Sequence, residues 1–174
     1  RPLAADYDLP RLPANAASCV LRVTLGPTRI LLTGDLPARG EAELVGREAD
    51  LAVAWLSAPH HGSRTSSSEA LLDAARPAWA SVQAGYRNRF GHPDPGVVER
   101  YVARGVHVVR SDEAGAAQWR FAGDGAVELH RWRAIAHRYW NNRPPAGARE
   151  SGVALGDQWL PDGSEALSEP AVPF

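Results

Sequence analysis

The sequence predicts a layered α/β domain with a mixed sheet. Three observations predict it. Apolar runs of strand length alternate with helical stretches from residue 29 to residue 110, a hairpin-like pair precedes them, and a further run of strands follows. At 174 residues, 44% of them hydrophobic, the chain can build one ordinary domain with a real core, and not two large ones.

Residues 1–14 hold three prolines and no periodicity, which predicts a linker or loop. Residues 18–25 and 29–33 read as strands joined by the turn Gly26-Pro27-Thr28. Residues 38–47 are weakly helical, and the apolar run 51–57 suits a buried strand. Ser66 and Glu69 stand in capping-box spacing ahead of a helix that Pro77 ends. A strand at 78–83 leads into the loop 85–93. Asp94 and Pro95 then provide the N-cap and first residue of a helix that stops at Gly105. Strands follow at 106–110, 116–121 and 126–132. The globular part is expected to span 15–140. Residues 141–174, with five prolines and four glycines, are expected to form a flexible tail.

Composition excludes several functions. A net charge of −1 rules out nucleic-acid binding on bulk charge alone. No apolar stretch approaches the roughly 18–20 residues needed to cross a bilayer. The single cysteine, Cys19, excludes an internal disulfide and a cysteine-cluster metal site. All 19 basic residues are Arg. With Ala, Gly and Pro abundant, this follows most simply from a GC-rich coding sequence. The chain starts with Arg1 and contains no Met, so it is expected to be a processed product or a piece of a longer protein.

Four places can carry chemistry. Asp35 follows Thr33-Gly34 at a strand end, where a carboxylate can serve as metal ligand or base, or simply cap the next helix. His60 and His61 follow the apolar run. Successive side chains of a strand point apart, so at most one faces a given metal unless the chain turns, which Gly62 permits. The tract from Ser63 and Arg64 to Ser68 offers hydroxyls, a guanidinium and free helix-start N–H groups to a phosphate, or only redundant caps. Arg87, Asn88, Arg89, Phe90 and His92 share one loop. Arg forks suit phosphodiester oxygens and an aromatic can stack on a base, or the loop is solvated with Phe90 in the core. His107 alternates with apolar strand residues and reads as structural.

Taken in order, these segments resemble the second half of the metallo-β-lactamase-like domain of the ComEC family, membrane channel proteins of bacterial DNA uptake. Asn15 to Leu21 resembles that family's N-x-x-S-hydrophobic strand, Ile30 to Asp35 its LLTGD, His60 to Ser63 its HHGS, and Phe90 to Pro93 its FGHP. The resemblance covers roughly residues 15–132. It implies an αββα sandwich, of which this chain is the second half, with a metal site at one edge of the two sheets. It implies that Asp35 bridges two divalent ions, zinc or manganese, and that one histidine of the pair is a ligand. His61 is favoured as ligand, because choline-phosphoesterases of this fold use the second His of a similar tract. His60 is then the catalytic candidate, bonded to the scissile phosphate. Ser63, Arg64, Arg87, Asn88 and Arg89 become the phosphate or nucleic-acid contacts, with His92 an additional site residue.

The family's His-x-His-x-Asp-His motif is absent. Asp35 and one histidine do not make the four ligands of a tetrahedral site. The expectation is therefore part of a metal-dependent phosphodiesterase or nuclease domain, inactive by itself, acting in DNA internalisation. The expected partners are DNA as single strand or incoming duplex, the rest of the polypeptide with its transmembrane channel, and other competence proteins. The expected place is the outer face of the inner membrane. Two alternatives stand beside it: a metal-free module that guides DNA, and a stand-alone phosphoesterase. A shared site requires Asp35 within about 5 Å of one imidazole.

Overall fold

A computed structural model describes residues 13–135. The expected linker, apart from its last two residues, and the expected tail lie outside the described residues, as does the end of the expected domain. Five helices and seven strands are described. They are β1 (Leu21–Leu25), β2 (Thr28–Leu32), α1 (Ala38–Arg47), β3 (Trp55–Ser57), α2 (Glu69–Ala75), β4 (Trp79–Val82), α3 (Pro95–Val102), β5 (His107–Arg110), α4 (Ser111–Ala114), β6 (Ala117–Phe121), β7 (Val127–Arg131) and α5 (Trp132–Ile135), with short 3-10 turns at Ala14–Ala17 and Pro59–Gly62.

β1 and β2 form the antiparallel hairpin, with Val23 opposite Ile30. Gly26, at φ 57°, takes the position after β1 where a two-residue hairpin turn needs a positive φ. From β2 onward the strands lie side by side in chain order and parallel, giving one mixed sheet ordered β1-β2-β3-β4-β5. Crossovers between parallel strands are right-handed, so strands added steadily in one direction put every connecting helix on the same face. The core bears this out. Leu72 and Ala75 of α2, Val97 and Tyr101 of α3, and Leu44 of α1 pack with Leu31, Leu56, Ala80 and Val82 of the sheet.

The opposite face carries the alternate register row Ile30, Trp55, Trp79 and His107. A second sheet, the antiparallel pair β6-β7, covers part of it. Trp119 meets Trp55 and Trp79 edge-on, with ring centroids 5.7 and 5.4 Å away. His107 lies against Trp79 at 4.7 Å, in keeping with its structural reading. Toward β1 this cover ends, and Leu21, Leu25 and Leu32 of the same face are exposed.

The mixed α/β class and every expected strand are present, with three local corrections. The strand expected over 51–57 begins only at Trp55, because preceding backbone groups bond elsewhere: Val53 N–H donates to the Ala75 carbonyl at the end of α2. The cap of α2 is Ser68, whose hydroxyl accepts from Leu71 N–H; Ser66 is buried and its hydroxyl donates to the Pro59 carbonyl at 2.7 Å. The turn expected from Asp112 is the single-turn helix α4. Asp94 and Pro95 start α3 as expected, with the Asp94 carboxylate accepting from Gly96 N–H.

Candidate functional site

The loops that carry Asp35, the histidine pair and the Arg-rich segment leave the carboxyl ends of β2, β3 and β4, three adjacent parallel strands. That edge is where open α/β sheets bind ligands. Thr33 anchors the first loop. It is fully buried, its N–H donates to Ser57 Oγ and its hydroxyl donates to the Ser57 carbonyl, which locks the end of β2 to the end of β3. Gly34 then turns at φ 56° and its carbonyl accepts from His60 N–H at 3.0 Å. Asp35 is thereby placed beside the second loop. It does not cap α1, whose first residues have no side-chain cap.

The second loop is backbone-strained. His60 and His61 both sit in the left-handed region, at φ 48° and 56°. Non-glycine residues held there cluster at functional sites, because the surrounding structure must pay for them. The turn swings His61 to Asp35, with Nε2 to Oδ1 at 3.3 Å, inside the distance a shared site requires. His60 points elsewhere: its Nε2 lies 3.1 Å from Asn15 Nδ2, and its Nδ1 is buried without a hydrogen-bond partner among the described residues. Asn15 is a site neighbour that the sequence named only as part of a motif.

Gly62 admits the third loop. A Cβ there would stand 2.7 Å from Pro93 Cβ, and Gly62's carbonyl accepts from Asp94 N–H. Asn88 shapes that loop. Its Oδ1 accepts from His92 N–H at 3.0 Å, and its Nδ2 donates to the His92 carbonyl at 2.6 Å and to the Gly85 carbonyl at 3.1 Å. The result sets the His92 ring 6.0 Å from His60 and stacks it 5.9 Å from Phe90. Partial burial, with His60 and His61 nearby adding to it, holds His92 below the ordinary imidazole range. Phe90 is exposed rather than in the core.

Other expected contacts fall less closely together. Arg87 lies over Tyr86 at 5.3 Å and Arg89 over Phe90 at 4.8 Å, in the same loop as His92. Arg64 is exposed, and Ser63 is buried with its hydroxyl 3.1 Å from that of Thr65. The N–H groups before α2 are not free for a phosphate. Glu41 of α1, fully buried, accepts Ser67 N–H at 2.6 Å and Ser68 N–H at 2.7 Å. Ser67 also bonds the Tyr101 hydroxyl, and Arg100 donates to the Ser66 and Ser67 carbonyls. This buried network went unread in the sequence.

The carboxylate of Asp35 and the imidazole of His61 are donors of the kind zinc or manganese takes. Their number falls short. Among the described residues, no group of three or more His, Cys, Asp or Glu side chains is gathered to hold a metal ion. Among the described residues, no helix is long and apolar enough to cross a membrane.

Comparison with known proteins adds identity to this geometry. The chain is 41% identical over 131 residues to Competence protein ComA of Neisseria gonorrhoeae, covering 75% of this chain and 19% of that protein. It is 33% identical over 107 residues to ComE operon protein 3 of Bacillus subtilis, covering 62% of this chain and 14% of the relative. Over 89 residues it is 40% identical to Recombination protein 2 of Haemophilus influenzae, 49% of this chain and 11% of the relative. These names indicate a competence protein family of the ComEC type. The chain spans less than a fifth of the length of these relatives. No family model matches the chain.

Proposed function

We propose that this chain is the part of a DNA-uptake protein that carries one edge of a phosphodiester-handling site. The observation that carries the reading is the joining of Asp35 and His61 at the carboxyl edge of the sheet, in a chain related over three quarters of its length to a competence protein. The helix-covered sheet with a second sheet on its other face supports the metallo-β-lactamase-like reading of the fold. In this proposal Asp35 and His61 contribute two ligands to a divalent-ion site, zinc or manganese, completed by groups outside the described residues. Such an ion would supply Lewis acidity and an activated water to hydrolysis. His60 and His92 line the neighbouring cleft, and Arg87 and Arg89 hold phosphates. The partners are DNA, the remainder of a channel polypeptide and other competence proteins, at the outer face of the inner membrane.

The test replaces Asp35 or His61 by Ala in the complete protein. Uptake of labelled DNA should fall at least roughly tenfold, the effect of losing an interaction of about 1.4 kcal/mol or more. Wild-type uptake in both variants would sink the reading. A second reading, a metal-free module that guides DNA, is favoured by the short ligand count among the described residues. Calorimetric titration of the complete protein with manganese or zinc separates the two. Binding weakened by Asp35→Ala supports the first, and no binding supports the second.

A further inference from the structure

The loop from Gly85 to Pro93 presents two large rings to solvent, Tyr86 at 47% and Phe90 at 67% exposure. Apolar rings of this size are normally kept in a core, and neither is part of the buried cluster here. Each carries a guanidinium over its ring, Arg87 on Tyr86 and Arg89 on Phe90. Phe90 and His92 lie nearly parallel, their planes 17° apart, and His92 adjoins His60. Arg89, Phe90 and His92 thus follow one another toward the histidine cleft, and most of the Phe90 side chain stays open to solvent. The loop is stiffened from within by the three Asn88 bonds, so its rings are held out by a built turn rather than by a loose segment.

Exposed rings beside forked cations match the chemistry of an unpaired nucleic-acid strand, which offers flat bases as well as phosphates. In a duplex the base faces are buried in the stack, leaving phosphates and groove edges but no face to stack on. Resting on the DNA reading above, we infer that Tyr86 and Phe90 are specificity-determining residues that stack on the bases of a single strand, while Arg87 and Arg89 hold its phosphates. The loop then selects unpaired strand over duplex and lays its backbone beside His60 and His92.

The test measures fluorescence anisotropy of the complete protein with three labelled ligands of one length: a mixed-sequence single strand, its blunt duplex, and an abasic strand that keeps every phosphate. The base-bearing strand should bind roughly tenfold tighter than the other two, the scale of one base–aromatic stack. Phe90→Ala, Phe90→Leu and Tyr86→Ala should each erase much of that preference while leaving abasic binding unchanged. Arg87→Ala and Arg89→Ala should weaken all three ligands and lower the salt slope by about one each. Equal binding of base-bearing and abasic strands, or a preference that survives both aromatic substitutions, overturns the inference and leaves the DNA reading standing. Absence of binding to any of the three overturns both.

Discussion

Glu41 and Asp35 are two carboxylates on neighbouring stretches of chain, and they live in opposite circumstances. Glu41 is sealed under α1, and both its oxygens are occupied by backbone N–H groups of Ser67 and Ser68. Asp35 stands at the open edge of the sheet, and among the described residues its side chain meets the imidazole of His61. The difference is saturation. A carboxylate whose acceptor capacity is filled by fixed amides holds the fold together and has nothing to offer a ligand. One left part-filled beside an imidazole keeps acceptor capacity that a ligand could use.

The contrast can be broken most forcefully at Glu41. Glu41→Gln keeps the shape and sets an NH2 against a backbone N–H, losing a charge-assisted bond and burying an unpaired donor. It should cost about 3 kcal/mol in urea unfolding. A loss under about 1 kcal/mol would show that the buried carboxylate does not anchor the loop. Next comes Gly62→Ala, which combines a left-handed backbone at φ 74° with a Cβ 2.7 Å from Pro93 Cβ. We expect about 2 kcal/mol of destabilisation, and His92 ring resonances that move away from their wild-type positions as the third loop is pushed out. Unchanged His92 resonances would mean that the loop does not rely on that close approach.

Asp35→Asn is the mirror of the first experiment. Half-buried and paired with the His61 imidazole, it should alter unfolding free energy by no more than about 0.5 kcal/mol while DNA uptake by the complete protein collapses. A large stability loss with normal uptake would make Asp35 a second Glu41. The smallest effect concerns acid. His92 is held below the ordinary imidazole value of about 6.5, so on acidification the unfolded chain takes up a proton before the folded one does. Stability therefore falls as pH drops through the window between the ordinary value and the lowered one. His92→Gln should lessen that loss, seen as a smaller difference between urea midpoints measured at about pH 7.5 and about pH 5.5. A wild-type and variant that respond alike to acid would exclude His92 from this role.

The two carboxylates also show what a sequence discloses. Asp35 was legible because its neighbours announce it: a strand of apolar residues, then Thr33 and Gly34. Strand and helix types were legible for the same local reason, through periodicity, turn residues and the Asp94-Pro95 cap. Glu41 was not, because it lies on a weak helix and its partners are 26 and 27 residues away. Asn15 escaped as a site neighbour in the same way, meeting His60 across 45 residues. Ser66 matched a capping-box spacing, yet the cap falls two residues later, because the Ser68 hydroxyl accepts from Leu71 N–H while that of Ser66 is turned to the Pro59 carbonyl. Local pattern names the elements; which polar groups are already spoken for is settled by the tertiary fold.

The strand order has a kinetic consequence. Because the five strands lie in chain order, β1 and β5 each have one strand neighbour among the described residues, while β2, β3 and β4 have two. Amide protons should therefore exchange with solvent first along the rims and last along the middle of the sheet. The loops bearing Asp35, His61 and His92 all spring from that slow-exchanging middle. Fraying at either rim, the commonest excursion of an open sheet, would leave the candidate site assembled.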